Sequence, residues 1–79
     1  MRQKKLYTII AFETTYQAMK SEKTLKGSGV EGRLIPLPPE IDAGCGLAYR
    51  CSAAMKDNAE RILNQNRCEF KACTTMLLF

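Results

Sequence analysis

An α+β fold of order βαββαβ is predicted by three features of the sequence. Short β-rich runs alternate with stretches of helical apolar spacing, and glycine and proline clusters mark the joins between them. The length of 79 residues leaves room for one domain, residues 1–79, with one modest core.

The first strand is read at residues 6–12, where Leu6-Tyr7-Thr8-Ile9-Ile10-Ala11-Phe12 is rich in β-formers and bounded by charge on both sides. Thr14 or Thr15 then caps a helix. Thr14 with Gln17 forms a candidate capping box, and Ala18, Met19, Glu22 and Leu25 recur at helical spacing. Gly27-Ser28-Gly29 ends this helix by supplying a left-handed cap. The second strand, residues 32–37, stops at Pro38-Pro39, because proline cannot donate to a ladder. Leu47 to Cys51 alternates, with Leu47, Tyr49 and Cys51 on one face and Ala48 and Arg50 on the other, so it reads as a third strand. A second helix over residues 53–66 carries Met55, Ala59, Ile62 and Leu63 as its apolar stripe, with Ser52 or Asp57 near its start. Residues 68–78 close the chain as a fourth strand. The order predicts a ferredoxin-like, two-layer sandwich with an antiparallel four-stranded sheet.

Composition excludes several functions. The net charge of +4 comes from 12 basic and 8 acidic residues spread along the chain, with three Phe, three Tyr and no Trp. A nucleic-acid face needs clustered cations interleaved with aromatics, so no nucleic-acid partner is expected. Arg2, Lys4 and Lys5 ahead of the first apolar run imitate a secretory leader, but Glu13 interrupts the run after seven residues and no small-residue cleavage site follows. A cytoplasmic protein without a membrane segment is expected. A domain this short buries only about 60% of its unfolded surface. The apolar end Thr74-Thr75-Met76-Leu77-Leu78-Phe79 is therefore either the last core strand or a subunit contact, as in a homodimer.

Cysteines stand at positions 45, 51, 68 and 73, and there is no histidine. Without a secretory context free thiols are expected. No close Cys-x-x-Cys pair exists, so neither a metal nor another cofactor is expected. The lack of histidine also removes the usual base of a Ser or Cys triad. Reactivity of a thiol here has to come from the backbone, a helix end or a neighbouring Lys or Arg. Glu40 and Asp42 flank the candidate loop, but carboxylates near a turn are ordinarily solvated surface.

The candidate thiol is Cys45. Three prolines, at positions 36, 38 and 39, lead into a loop in which Cys45 sits between Gly44 and Gly46. Thr15, Ala18, Glu22, Lys23 and Leu25, with Gly32, Leu34-Ile35-Pro36, Pro38, Ile41, Cys45-Gly46-Leu47-Ala48 and Arg50, resemble the small bacterial family of selenium/sulfur carrier-like proteins. The resemblance covers residues 6–51. It departs at Pro39, where the family pattern has a basic residue, and the last third of the chain follows the pattern rather than a motif. It implies a carrier rather than a turnover enzyme, with donor and acceptor enzymes of sulfur or selenium metabolism as partners.

The expected topology places the Cys45 loop at the same sheet edge as the end of the first strand and the start of the first helix. Free amides and the helix dipole near Thr14, Thr15 and Gln17 would favour a thiolate or persulfide there. Gly44 and Gly46 would let backbone N–H groups approach the sulfur. Arg50 and Lys5 are candidates for docking or charge support. Cys68, opening the fourth strand at that edge, would lie two strand spacings from Cys45, roughly 10 Å. Disulfide Cα atoms lie about 4.4 to 6.8 Å apart, so Cys68 could act as a resolving thiol only after loop movement. Cys51 and Cys73 read as small buried hydrophobes. The leading function is a carrier holding sulfur or selenium on Cys45 as a persulfide or selenosulfide. The alternatives are a non-catalytic protein- or metabolite-binding adaptor, and a thiol redox protein using Cys45 and Cys68.

Overall fold

The computed structural model describes residues 3–41 and 44–78, so the readings that involve Arg2, Asp42 and Phe79 fall outside the described residues. The chain forms β1 (Lys5–Ala11), α1 (Thr15–Gly27), β2 (Gly32–Pro36), β3 (Leu47–Ser52), a 3-10 turn (Ala53–Met55), α2 (Lys56–Gln65) and β4 (Ala72–Leu78). The strands make one antiparallel sheet in the order β2-β3-β1-β4. No helix among the described residues is long and apolar enough to cross a membrane.

Register decides which side chains meet. Leu34 lies opposite Tyr49, Tyr49 opposite Ile10, and Ile10 opposite Cys73, which makes one row across all four strands. Residues directly opposite share a face. All four join the core that α1 supplies with Ala18 and Leu25 and α2 with Ala59, Ile62 and Leu63. Both helices therefore cover one side of the sheet, where they also pack on each other. The other side presents Ile35, Ala48, Ala11 and Ala72 in one row and Arg33, Arg50, Ile9 and Thr74 in the next.

Local chemistry sets the helix ends. Thr14 caps α1 by accepting a hydrogen bond from the Gln17 amide at 3.1 Å. The reciprocal half of the capping box is absent, because the Gln17 Oε1 instead accepts from the Glu69 amide at 3.2 Å. At the other end Gly29 takes φ +87, its amide reaches the Lys26 carbonyl at 3.2 Å, and the Val30 amide reaches that of Leu25 at 2.9 Å. That is a Schellman cap, with Leu25 and Val30 buried against the same core.

The end of α2 uses the same cap without glycine. The Arg67 amide donates to the Asn64 carbonyl at 3.3 Å and the Cys68 amide to that of Leu63 at 2.9 Å, with Arg67 at φ 55. A side chain in the left-handed region is strained by crowding at Cβ. Arg67→Gly is expected to raise stability by about 1 kcal/mol, read as a higher urea midpoint at unchanged slope. An unchanged or lower midpoint would show that the conformation costs nothing here. The cap also corrects the fourth strand. Cys68 belongs to the α2 terminus, and pairing with β1 begins only at Ala72.

Candidate functional site

The connection between β2 and β3, residues 37–46, is closed at its base and anchored to a neighbouring strand. The Leu37 amide donates to the Gly46 carbonyl at 2.9 Å, one step beyond the ladder. Gly46 has φ +73, a conformation that a Cβ would strain. The Cys45 amide donates to the Phe12 carbonyl at 3.4 Å, which holds the loop against the end of β1. At Gly44 a Cβ would come within 2.7 Å of both the Glu13 carbonyl oxygen and its Oε2. The loop thus docks on Phe12 and Glu13, directly before the Thr14 cap, at the edge that the topology predicts.

The third connection reaches the same place. The Lys71 amide donates to the Ala11 carbonyl at 2.7 Å, and the Lys71 Nζ pairs with Glu13 Oε1 at 3.0 Å. Glu13 and Lys71 are the charged neighbours of the loop, and sequence reasoning missed both. Only the juxtaposition of three connections reveals them, since no motif links positions 13, 44 and 71.

Cys45 is partly buried, and its side chain packs against the edge of the core. Its Sγ donates to the Leu47 carbonyl at 3.7 Å. Two of the amides at this edge are already engaged. The Cys45 amide faces the Phe12 carbonyl, and the Gln17 amide is taken by Thr14. Thr15, the first residue of α1, is exposed.

The other thiols are less accessible or differently engaged. All four cysteines are free. Cys68 is buried, with its Sγ 3.6 Å from Thr24 Oγ1 in the C-terminal half of α1. The two sulfurs are therefore bonded to different elements. Cys51 is also buried, and burial pushes its thiol up. Burial, followed by the Glu60 carboxylate, pushes Cys73 up to about 12. A thiol held protonated is a poor nucleophile. Cys51 is buried as expected, whereas Cys73 is only partly buried, which corrects its reading as a buried hydrophobe. Arg50 stands on the face away from the helices, with its guanidinium 4.5 Å from the centre of the Tyr7 ring, toward the opposite end of the sheet from Cys45. Lys5 begins β1 at that opposite end.

A groove of about 950 Å³ opens beside the loop, between the start of α1 and the connection after α2. Thr14, Tyr16 and Gln17 form one wall, and Arg67, Glu69 and Phe70 the other. Among the described residues no group of three Cys, Asp or Glu side chains is placed to hold a metal ion.

The architecture and the loop define a small α+β protein with two helices on one face of an antiparallel sheet and a partly exposed thiol at the sheet edge. The family model described as "Putative Se/S carrier protein-like" matches residues 7–74, and the chain belongs to that family. The match spans Cys45 and both helices, and extends beyond the resemblance at residues 6–51 to reach β4. No curated protein and no solved structure matches the chain.

Proposed function

We propose that the protein carries a sulfur or selenium atom on Cys45 and passes it from a donor to an acceptor enzyme in the cytoplasm. The observation that carries this reading is the placement of Cys45. It is a partly exposed thiol on a loop pinned beside the α1 cap, in a chain of the Se/S carrier-like family. The ferredoxin-like reading of the fold belongs to the same proposal, supported by the strand order β2-β3-β1-β4 with both helices on one face.

The transfer is redox-neutral. The Cys45 thiolate attacks the outer sulfur of a persulfide on the donor. A new S–S bond forms at Cys45 while the donor's S–S bond breaks, and its electron pair leaves on the donor thiolate. The same exchange moves selenium when the donor holds it as the outer atom of a selenosulfide. Thiolate enters and thiolate leaves, so no metal and no external oxidant is required.

Incubation with a persulfide-loaded cysteine desulfurase, followed by intact-mass spectrometry, tests the reading. The expected result is a gain of one sulfur atom that is removed by a reductant, retained in Cys51→Ser and lost in Cys45→Ser. Loading that persists in folded Cys45→Ser would remove the proposal. The groove beside the loop favours a second reading as a binding module, because Cys45 is not among the residues of its wall. In that case Cys45→Ala would retain function, and substitution of Tyr16 or Phe70 would abolish it.

A further inference from the structure

We propose that Arg33 and Arg50 form a binding site for a phosphate-type oxyanion, on the sheet face turned away from the helices and independent of Cys45. Arg33 of β2 lies directly opposite Arg50 of β3 in the antiparallel register, so both side chains leave the sheet on one face. Like charges set directly opposite one another destabilise a strand pair. Among the described residues no carboxylate lies within ion-pairing distance of either guanidinium. The repulsion is therefore built into the sheet without a counter-ion drawn from it.

The surroundings add little net charge to the two guanidiniums. A hollow of about 620 Å³ is lined by Arg33, Arg50, Gly32, Lys26 and Glu31. Lys26 also pairs with Glu22 at 3.4 Å, and Glu31 is the acidic residue on the wall. A second hollow beside Arg50 includes Glu40. The two guanidiniums thus outweigh the one wall carboxylate.

Arg50 is already positioned. Its guanidinium carbon lies 4.5 Å from the centre of the Tyr7 ring, a cation–π contact that holds the group on this face of the sheet. A single carboxylate is satisfied by one guanidinium fork. A tetrahedral anion has enough oxygens to take donors from two guanidiniums on adjacent strands, and would turn the opposed charges from a cost into a clamp.

Titration of the full chain with inorganic phosphate, at ionic strength matched with chloride, tests this. Saturable shifts of the Arg33 and Arg50 side-chain NMR signals are expected, together with a rise in melting temperature. Arg33→Gln should weaken phosphate at least about tenfold, the effect of losing one charge-assisted contact. Without phosphate at low salt, the same variant should melt higher than wild type, because the opposed charges are gone. Lys23→Gln, which removes an exposed charge on α1, should bind phosphate like wild type, and so should Cys45→Ser. Equal phosphate responses in wild type and Arg33→Gln would overturn the site, as would phosphate acting no differently from chloride. Saturation of the arginine signals by an acidic peptide but not by phosphate would overturn it in favour of protein docking.

Discussion

Tyr49→Ala is expected to leave much of the protein unfolded at 25 °C, and Tyr49→Phe to cost about 1 to 3 kcal/mol. Tyr49 is fully buried in the row that joins Leu34, Ile10 and Cys73, and its hydroxyl donates to the Val30 carbonyl at 2.8 Å. Val30 in turn closes the cap of α1 through its amide. One side chain therefore fills the core and fastens the α1–β2 turn to β3. Phenylalanine keeps most of the volume but strands a buried carbonyl, whereas alanine adds a cavity worth about 3 to 5 kcal/mol. Domains are stable by only about 5 to 15 kcal/mol, and small ones tend toward the lower end. Urea unfolding followed by circular dichroism measures both effects. A Tyr49→Phe variant as stable as wild type would show that the Val30 carbonyl finds another donor.

Raising the pH should destabilise the protein from about pH 9 and more steeply above pH 10. Burial, with smaller repulsions from Cys51, Glu22 and Glu31, pushes the Tyr49 hydroxyl from 10.0 up to about 12. The folded state thus holds this proton more tightly than the unfolded chain does. Its contribution is complete below pH 10 and is lost as pH climbs through about 12. Two pH units correspond to roughly 2 to 3 kcal/mol. Cys73 acts in the same direction from its ordinary 9.0 up to about 12, chiefly through burial and then through Glu60. Urea midpoints measured across this range should fall in wild type. They should fall less above pH 10 in Tyr49→Phe, and less between 9 and 10 in Cys73→Ala. Parallel curves for all three proteins would assign the loss to general charge imbalance instead.

Most elements could be read from residues close together in the chain. The Gly27-Ser28-Gly29 stop, the Thr14 cap and the alternation of Leu47, Tyr49 and Cys51 all appear where expected. Ser52 likewise starts the second helical segment, accepting from the Ala54 amide at 3.3 Å, although the first turn is 3-10. The misreading at Cys68 has a specific cause. A left-handed cap is normally announced by glycine or asparagine, and at α2 the position is Arg67. With that signal missing, Cys68 and the alternating Glu69-Phe70-Lys71-Ala72 that follows read as strand.

Helix periods, caps and strand alternation are relations between residues a few positions apart, so the order βαββαβ was already present in the chain, as was the placing of Cys45 between Gly44 and Gly46. What lies across from what is a different quantity. The contact of Gly44 with Glu13, the pairing of Glu13 with Lys71, and the opposition of Arg33 and Arg50 depend on sheet register and on three loops meeting at one edge. Those relations arise when distant segments pack and fill a common core, and tertiary structure alone decides them.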